Sequence, residues 1–495
     1  MNHSTINTEL NLENSYAEQL KDFYVFFHGD KAPAPELLRF NKPLANQLGL
    51  ELSNIQEQDI AHIFSGGVTP TGTTPLAQVY AGHQFGGFSP QLGDGRALLL
   101  GEIIDKKGQR FDIHLKGSGR TPYSRGGDGK ATLGPVLREY LLGEAMHALN
   151  IPTTRALAAV ITGETVMRDR LLPGAVLARI AKSHIRVGTF EYFASRKDTD
   201  KLKQLADYTI RRHYPELEST DTPYLDLLKA VSQRQASLIA QWMGVGFVHG
   251  VMNTDNMTVA GETIDYGPCA FIDNYDTATV FSSIDKQGRY AYGNQASIGQ
   301  WNLTRFAETL LPLISSDING AIELASQELN SYPDNYKHAW LKGMRNKLGL
   351  TTQEAEDLAL VSDLLNTMQA QNVDYTQLFR ALSLAAQGYT DNARNLFDEP
   401  EQFDMWFERW HDRLTREPFD TEARITNMNS VNPIYIPRNH KVQEALDAAE
   451  NEANYAPFEE LLCVLAEPFN ERKELAAYAK PPPDDFGHYK TFCGT

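Results

Sequence analysis

The sequence predicts an α+β protein in which a β-rich N-terminal part precedes a long helical part. Two pairs of apolar segments, at 97–116 and 156–180, have the length and composition of β-strands. A stretch rich in Gly, Thr and Pro at 65–95 indicates loops before them. From residue 302 almost to the end of the chain, the pattern predicts mainly helices.

The composition is that of a soluble globular protein. The 495 residues suffice for roughly two to four domain-sized units or one large elaborated fold. Hydrophobic residues make up 42% of the chain and charged residues 22%, so core material is ample. The net charge of −17 and the lack of a basic tail argue against nucleic acid as a general partner.

Cysteine usage and the N-terminus indicate a cytoplasmic protein. Three cysteines, Cys269, Cys463 and Cys493, are too few for a disulfide framework, and no Cys-x-x-Cys pair indicates zinc. The first residues resemble neither a secretory signal nor a transit peptide. No segment approaches the roughly 18 uninterrupted apolar residues that a membrane span needs. We expect a protein without membrane contact that acts as a monomer.

The first 95 residues predict peripheral structure. Residues 1–13 are polar and are predicted to be loose. Residues 14–50 predict short helices, with Tyr16, Leu20 and Tyr24 on one face. The glycines around Gly93-Asp94-Gly95-Arg96 indicate a loop in which the backbone approaches its neighbours closely, directly before a strand.

A predicted hairpin ends on a lysine that can bind phosphate. Its strands are 97–104 and 111–116, and Lys116 closes the second strand on its polar side. A lysine at the end of a strand is usually a solvated charge, but the next segment favours a phosphate ligand. Residues 117–130, which include Asp128 and Gly129, are glycine-rich and can form an anion-binding nest of backbone N–H groups. Between residues 105 and 130, seven Lys and Arg outnumber three Asp.

A helix predicted from Pro135 to Leu149 carries two candidate partners for this lysine. Val136, Leu137, Tyr140 and other apolar residues form one face, and Glu139 and Glu144 are polar members. A strand lysine paired with a helix glutamate orients the lysine onto phosphates in protein kinases. Glu139 is favoured because it lies nearer the start of the helix, and Glu144 can be a plain surface charge.

Two further strands, 156–161 and 175–180, are predicted around a turn at Thr162-Gly163-Glu164. Five basic residues and one acidic residue lie between 165 and 190. Arg179 and Arg186 are candidate phosphate clamps because a guanidinium binds phosphate in a bidentate manner. The alternative, that both are surface arginines, is equally compatible with the sequence.

The strongest chemical signal is His249-Gly250-Val251-Met252-Asn253-Thr254-Asp255-Asn256, followed by Asp265-Tyr266-Gly267. An apolar helix is predicted before it, and a tight hairpin around Gly261-Glu262 is predicted between the two motifs. Protein kinases hold Mg²⁺ with the catalytic-loop Asn and the Asp of Asp-Phe-Gly, and the spacing from His249 to Asn256 is that of His-Arg-Asp-x-x-x-x-Asn. Asn256 and Asp265 are therefore candidate metal ligands. Val251 replaces the kinase catalytic Asp, which leaves Asp255 as the candidate base. Each motif alone can also be an ordinary turn.

Helices are predicted over most of the remaining chain. The predicted ranges are 302–315, 319–330, 337–347, 352–370, 375–388, 401–414, 440–450 and 457–466. The Pro481-Pro482-Pro483-Asp484-Asp485 segment is typical of a linker. Cys493 near the C-terminus is expected to be exposed and open to redox chemistry, or to lie there by chance.

In combination these motifs resemble the selenoprotein O (SelO) family. The resemblance is carried by Tyr80-Ala81-Gly82-His83-Gln84-Phe85-Gly86, by Gly117-Ser118-Gly119 to Arg125, by the 249–256 and 265–268 motifs, and by Gly288-Arg289-Tyr290 with Asn294-Gln295. It covers residues from about 14 to the C-terminus.

The resemblance implies a bilobal protein-kinase-like fold, once classed as a pseudokinase. It implies a mainly β N-lobe, a helical C-lobe and an extra helical C-terminal region. The corresponding domains are 1–80 as an N-terminal extension packing on the N-lobe, 81–185 as N-lobe, 186–300 as C-lobe core and 301–495 as helical region and tail.

The activity implied by the resemblance is transfer of AMP from ATP to Ser, Thr or Tyr hydroxyls of proteins. ATP is bound in a flipped orientation, with the α-phosphorus facing the acceptor. Asp255 acts as base, Asn256 and Asp265 hold Mg²⁺ or Mn²⁺, and Glu139 pairs with Lys116. The residues implied to contact ATP are Gly93, Gly95, Arg96, Lys116, Asp128, Gly129, Arg179, Arg186 and Asp265.

Two other functions stay open at this point. One is a kinase-like phosphotransferase, against which Val251 argues. The other is a nucleotide-binding pseudokinase scaffold, against which the candidate base and metal ligands argue. Many family members carry selenocysteine near the C-terminus, where this chain has Cys493. Whether Cys269 and Cys493 pair is open as well.

Overall fold

The computed structural model describes residues 5–50, 52, 55–418 and 420–492. Strands are concentrated in the first 181 residues. They are β1 Thr5–Glu9, β2 Tyr24–Phe26, β3 Glu36–Phe40, β4 Thr69–Thr71, β5 Leu76–Gln78, β6 Gly82–Gln84, β7 Gly87–Ser89, β8 Ala97–Ile104, β9 Arg110–Lys116, β10 Ala131–Thr132, β11 Arg155–Met167 and β12 Leu171–Ala181. Two short strands, β13 Phe247–Val248 and β14 Ala270–Phe271, pair with each other further along the chain.

The main sheet has eight strands and is antiparallel throughout. Its order is β2-β5-β8-β9-β12-β11-β3, with β10 paired to β12. β6 and β7 form a separate hairpin, and β1 pairs in parallel with β4. Strands from the first 80 residues therefore belong to the main sheet.

Helices make up most of the chain after β12. Four helices precede β12: α1 Ser15–Gln19, α2 Lys42–Leu48, α3 Glu57–Phe64 and α4 Leu133–Ala148. The helices that follow β12 are α5 Val187–Ala194, α6 Thr199–His213, α7 Pro223–Val245, α8 Gln295–Ile314, α9 Ile318–Asn330, α10 Tyr332–Lys347, α11 Asp357–Ala370, α12 Tyr375–Ala385, α13 Asp391–Arg394, α14 Pro400–Thr415, α15 Thr421–Val431, α16 Asn439–Glu452 and α17 Ala456–Leu465. The predicted division into a β-rich N-terminal region and a helical remainder is confirmed. Within the described residues, no helix has the length and apolar character needed to cross a bilayer.

Side-chain alternation along β9 and β12 gives the sheet one apolar face and one mixed face. Ile113 and Leu115 pack in a core with α2 and α3. Their neighbours His114 and Lys116 point to the other side of the sheet because successive strand residues face opposite ways. β12 behaves likewise: Val176, Ala178 and Ile180 join the α2–α3 core, whereas Ala175 and Leu177 pack toward α4, α16 and α17. Arg179 shares the parity of Ala175 and Leu177, so it shares a face with Lys116.

Three local predictions for the N-terminal region are wrong. Residues 5–9 form β1 and are not loose, because they pair with β4. Tyr24 lies in β2 and not on a helix face with Tyr16 and Leu20. The turn predicted at Thr162-Gly163-Glu164 lies inside β11, where the pairing register with β12 shifts between Ile161 and Thr165. The chain turns instead at residues 168–170, between β11 and β12.

The hairpin predicted around Gly261-Glu262 is also absent from the described structure. Residues 257–264 bond to distant segments: Val187 N–H donates to Met257 O, and Thr154 N–H donates to Thr263 O. Asp265 consequently ends a loop and not a strand. The helices predicted after residue 300 are present with shifted ends, and α13 and α15 were not predicted.

Candidate active site

A polar cavity lies between the mixed face of the sheet and the loops that follow α7. It brings together residues that lie as far apart in the chain as Tyr80 and Pro268. Its lining includes every predicted ATP and metal residue, namely Gly93, Gly95, Arg96, Lys116, Asp128, Gly129, Arg179, Arg186, Asp255, Asn256 and Asp265. Lys116, Arg179 and Arg186 form one wall of this cavity. Glu139, the predicted partner of Lys116, lies on α4 and is not part of the lining.

Lys116 and Arg179 share the same two carboxylates. Lys116 Nζ lies 2.6 Å from Glu139 Oε2 and 2.7 Å from Asp265 Oδ1. Arg179 Nη1 lies 3.0 Å from Glu139 Oε1 and 2.7 Å from the same Asp265 oxygen. Glu144, the other candidate partner, instead binds Arg155 at 2.7 Å. The alternative in which Lys116 and Arg179 are solvated surface charges is therefore wrong.

Arg186 is also buried, and it is held more loosely. Its Nη1 lies 3.6 Å from Asp94 Oδ1 and its Nη2 lies 3.9 Å from Asp265 Oδ2. Its guanidinium stands over the Tyr80 ring, 4.3 Å from the centroid. Nε and Nη1 of Arg186, and Nε of Arg179, have no hydrogen-bond partner among the described residues. Buried donors of this kind are costly to leave unpaired, so they mark a position where a ligand can supply acceptors.

The carboxylates that contact this wall are kept ionised by the neighbouring cations. Burial opposes ionisation of Asp265, but Lys116, Arg179 and Arg186 outweigh it and hold its pKa well below the ordinary value. Burial likewise opposes ionisation of Glu139, and Lys116 and Arg179 again lower its pKa. Asp265 and Glu139 therefore stay ionised at neutral pH.

Asp94 and His114 belong to the same wall and were missed by the sequence analysis as site residues. His114 Nε2 lies 3.2 Å from Asp94 Oδ2, and its Nδ1 lies 3.3 Å from Arg179 Nη2. Burial lowers the pKa of His114. Against burial, His114 and Arg186 hold the pKa of Asp94 below its ordinary value. The signal for His114 was available, because it lies two residues before Lys116 on the same strand face.

Asp255 differs from Asp265 and Glu139, because its pKa is raised and not lowered. This carboxylate is buried, and its Oδ1 has no hydrogen-bond partner among the described residues. Gln84 Nε2 donates to Oδ2 at 3.2 Å. Burial raises the pKa of Asp255 to about 6, which gives it the basicity expected of a general base near neutral pH. Gly82 is required beside it, since an added Cβ would lie 2.6 Å from Asp255 Oδ1.

A hydrogen-bonded support fixes the loop that carries Asp255. Glu191 on α5 accepts from the Thr254 hydroxyl and contacts His83 Nδ1 at 2.5 Å. The His83 backbone N–H donates in turn to Thr254 Oγ1 at 2.7 Å. Val251, at the position of the kinase Asp, is buried in the apolar core, and its carbonyl accepts from Asn256 Nδ2 at 3.0 Å.

The loop of Asp265 is held from two sides. The His249 ring donates from Nε2 to Ile264 O at 2.9 Å. Arg138, which the sequence analysis missed, donates from Nε to Gly267 O at 3.1 Å and binds Cys269 O. Asp265 itself has a left-handed backbone with a φ of 62°, an unusual conformation that aims its carboxylate at Lys116 and Arg179.

At the glycine-rich rim of the cavity, position 93 requires a glycine for steric reasons, and Asp128 is engaged in an ion pair. An added Cβ at Gly93 would lie 2.6 Å from the Tyr123 ring, and its φ is 98°. Asp128 pairs with Arg168 at 2.7 Å, and Lys130 pairs with Glu164 at 2.6 Å. Lys130 is thus neutralised at this end of the cavity, whereas the pairing of Asp128 brings in a further cation, Arg168.

Asn256 and Asp265 fit a divalent metal only together with a ligand. The Asn256 amide nitrogen is engaged by Val251, so its Oδ1 is the atom left for coordination. Nowhere in the described ranges do three or more His, Cys, Asp or Glu side chains cluster as a metal site. Mg²⁺ commonly takes one or two protein oxygens and completes its shell with phosphate and water.

Cys269 lies near the loop that carries Asp265 and is fully buried. Burial raises the pKa of its thiol to about 12. Cys493 lies outside the described residues, so its pairing stays an open question.

Comparison with known families assigns the chain. The family described as protein adenylyltransferase SelO matches residues 7–466. The chain belongs to the SelO family. It is 55% identical over 485 residues to the protein nucleotidyltransferase YdiU of Rhizobium leguminosarum bv. trifolii, which covers 98% of this chain and 97% of the relative. It is 54% identical to the protein of the same name from Rhizobium meliloti over 490 residues, 99% of this chain and 100% of the relative.

The resemblance predicted from the motifs is thereby confirmed. A further relative, protein nucleotidyltransferase YdiU of Cereibacter sphaeroides, is 56% identical over 487 residues, 98% of this chain and 99% of the relative. This SelO chain is thus an enzyme of the nucleotidyltransferase class.

Proposed function

We propose that this SelO protein transfers AMP from ATP to Ser, Thr or Tyr hydroxyls of proteins. The observation that supports this most strongly is the presence of Lys116, Arg179 and Arg186 in the same cavity as a buried carboxylate of raised pKa, Asp255. Cations can neutralise a triphosphate, and a base of this pKa can deprotonate a hydroxyl. Membership of a protein adenylyltransferase family points to the same chemistry.

In this proposal the chain forms a kinase-like pair of lobes around the nucleotide. Residues 81–185 form the β-rich N-lobe, 186–300 the C-lobe core, and 301–495 a helical region. Residues 1–80 are counted with the N-lobe because β2, β3 and β5 lie in its sheet. Lys116 on β9 with Glu139 on α4 corresponds to the lysine–glutamate pair that orients phosphates in kinases.

The triphosphate is held by the cationic wall. Lys116, Arg179 and Arg186 bind phosphate oxygens, and the unpaired donors of the two arginines gain acceptors. Gly93, Gly95, Arg96, Asp128 and Gly129 at the rim complete the ATP site. ATP lies in the flipped orientation, with its terminal phosphates among the buried cations and its α-phosphorus toward Asp255.

Asp255 receives the proton of the acceptor hydroxyl. The hydroxyl oxygen forms a bond to the α-phosphorus, the bond from this phosphorus to the β-bridging oxygen breaks, and diphosphate leaves. With a pKa of about 6, Asp255 is mostly ionised at pH 7 and still basic enough to take the proton. Gln84 and the Glu191–Thr254 contacts keep its carboxylate in place.

Mg²⁺ or Mn²⁺ would be held by Asn256 and Asp265 together with the phosphates, where it neutralises charge on the transferred group. Asp265 is poised for this role because its pKa is held well below the ordinary value. Phosphates that drew Lys116 and Arg179 toward themselves would leave the Asp265 oxygen that both now contact available to hold the metal.

The test uses two samples of ATP, labelled at the α- or the γ-phosphorus, with Mg²⁺ or Mn²⁺ and a generic protein acceptor. The proposal expects label on the acceptor from α-labelled ATP alone, and none with Asp255→Asn. Asp412→Asn, an exposed change far from the cavity, is the matched control and retains transfer. Label from γ-labelled ATP alone establishes a phosphotransferase. Nucleotide binding without either label leaves a scaffold as the function.

A further inference from the structure

The β6–β7 hairpin is attached directly to the loop that carries Asp255. The Phe85 N–H, at the tip of the hairpin, donates to Asn253 Oδ1 at 3.1 Å and to the Tyr290 hydroxyl at 3.2 Å. The Tyr290 hydroxyl donates to the same Asn253 oxygen at 2.6 Å. Gln84, the preceding residue, binds Asp255. The tip therefore lies where the cavity opens beside the proposed base.

Two phenylalanines of this hairpin are exposed although the chain has ample core. Phe85 is 38% exposed and Phe88 is 41% exposed. Phe85 packs on Tyr290 with ring centroids 5.0 Å apart, and Phe88 packs on His83 at 4.9 Å. Large exposed aromatic side chains with a fixed orientation are typical anchors of protein interfaces.

Arginines stack on a tryptophan that adjoins this hairpin. The Arg289 guanidinium lies 4.7 Å from the centroid of the Trp301 ring, and Arg305 stands over the same ring at 5.2 Å. His83 contacts Trp301 edge-on at 5.3 Å, which joins the tryptophan to the hairpin. At the base of the hairpin, the exposed Arg196 donates to Pro90 O at 3.2 Å.

The hairpin lacks the acidic residues that give the whole chain its charge. The net charge is −17, yet residues 80–92 contain no Asp or Glu. Arg305 is paired with Glu308 at 2.7 Å. Nε and Nη2 of Arg289 have no hydrogen-bond partner within the described ranges. A partly exposed surface of aromatic and arginine side chains therefore adjoins the proposed base in an otherwise acidic protein.

We propose that the surface formed by Phe85, Phe88, Arg196, Arg289 and Trp301 binds the acceptor segment of the protein substrate, and that it favours segments with Asp or Glu beside the modified hydroxyl. This rests on the proposed AMP transfer, because the acceptor hydroxyl must reach Asp255. Complementary charge selects and orients the segment, and the aromatic rings hold its apolar side chains. Nucleic acid is disfavoured as the ligand of this surface, because the rest of this acidic chain would repel its negative charge.

The test compares two synthetic peptides with the same Ser, Thr and Tyr, one flanked by Glu and one by Gln. Binding of each fluorescent peptide to the full chain is measured with ATP and Mg²⁺, and AMP transfer is measured in parallel with α-labelled ATP. We expect the Glu-flanked peptide to bind about 5-fold more tightly, and its preference to appear in KM and not in kcat, since charge pairs at partly exposed sites contribute modestly.

Arg289→Glu is expected to abolish or invert this preference, and Arg196→Glu to weaken it about 2-fold. Arg409→Glu changes the charge equally on the distant α14, where Arg409 is 54% exposed and pairs with Asp363, and it should leave the preference intact. Melting temperatures and ATP binding of the variants check that folding and the nucleotide site are unchanged.

Equal binding of both peptides to the unmodified protein overturns the inference, as does a preference that survives Arg289→Glu. Selective binding without transfer of label leaves the docking surface standing and removes the proposed activity. If sedimentation shows that Arg289→Glu dissociates an oligomer, the surface is an interface between copies of the chain, and the inference is wrong.

Discussion

Two clusters of buried ion pairs differ in what they leave unpaired. The cluster in the cavity joins Lys116, Arg179 and Arg186 to three carboxylates, and several of its donors have no partner. The second cluster lies among the C-terminal helices α10, α11 and α14. There, Arg413 donates from Nε to Asp357 at 2.9 Å, from Nη1 to Glu417 at 2.7 Å and from Nη2 to Thr352 O at 3.1 Å.

The C-terminal cluster is complete without a ligand. Glu417 also accepts from Thr351 N at 2.8 Å and from the Thr352 hydroxyl at 2.6 Å. Each nitrogen of the Arg413 guanidinium has an acceptor, whereas Arg186 is held only by contacts of 3.6 and 3.9 Å. A saturated ion network stabilises the fold, and an unsaturated one in a cavity is prepared for a ligand. Variants in the two clusters should therefore change different properties.

The largest effect is expected from Asp255→Asn. The amide cannot accept the hydroxyl proton, so AMP transfer should fall about 10²- to 10⁴-fold. Stability should be unchanged or increased, because the buried carboxylate has an unpaired oxygen and a pKa raised by burial to about 6. Transfer rates and thermal unfolding are measured together. A destabilised protein that retains its rate would contradict both parts of the prediction.

Arg413→Ala should have the reverse profile. Removing one partner of a buried network leaves Asp357 and Glu417 without their shared cation, which costs about 3–5 kcal/mol of unfolding free energy. Denaturant titration measures this loss. ATP affinity and transfer rate per folded molecule should match the unmodified protein, because Arg413 lies outside the cavity. The exposed Arg409→Ala on the same helix is the control and should change stability little.

Arg186→Gln should weaken ATP binding with little change in stability. A charge-assisted hydrogen bond to phosphate contributes about 1.5–3 kcal/mol, which corresponds to roughly a 10- to 150-fold change in Kd. Its long contacts with Asp94 and Asp265 contribute little to folding. Calorimetric titration with ATP and denaturant unfolding give the two numbers. A loss of stability as large as that of Arg413→Ala would show that the two clusters do not differ.

Much of the cavity was predictable because its chemistry is carried by local patterns. The alternation of β9 placed Lys116 on a polar face, and the helical pattern of α4 placed Glu139 near its start. The spacing of Asp255, Asn256 and Asp265 was readable because all three lie within one short segment. By contrast, the C-terminal cluster joins Arg413 to Thr352 and Asp357 from another helix–loop segment, and no local sequence pattern predicts such a pairing.

The failures of the prediction have the same cause. Gly163 has a φ of 76° and was taken for a turn, but the partner strand absorbs it as a bulge. Residues 257–264 were expected to form a hairpin. A turn closed by Thr258 and Glu262 is present, but the flanking backbone bonds to residues near 152–154 and 185–187. Backbone groups hydrogen-bond to segments that are distant in sequence but near in the fold, and a short stretch of sequence contains no information about such partners.

The smallest effect expected is the dependence of stability on pH that Glu417 of the C-terminal cluster contributes. Hydrogen bonds from Thr351, Thr352 and Arg413 lower the pKa of Glu417 to about 2 against the cost of burial, from an ordinary value of 4.5. A depressed pKa stabilises the folded state above pH 4.5, and this contribution is lost as the pH falls toward 2. After allowance for solvent screening it amounts to about 1–2 kcal/mol.

The difference in unfolding free energy between the unmodified protein and Glu417→Gln isolates this contribution. It should be constant from pH 7 to about 5 and should shrink at lower pH. Exposed Glu444→Gln is the matched control, with no such trend. A difference that grows in acid would mean that Glu417 is protonated in the fold. The C-terminal cluster would then not be the saturated ion network that sets it apart from the cavity.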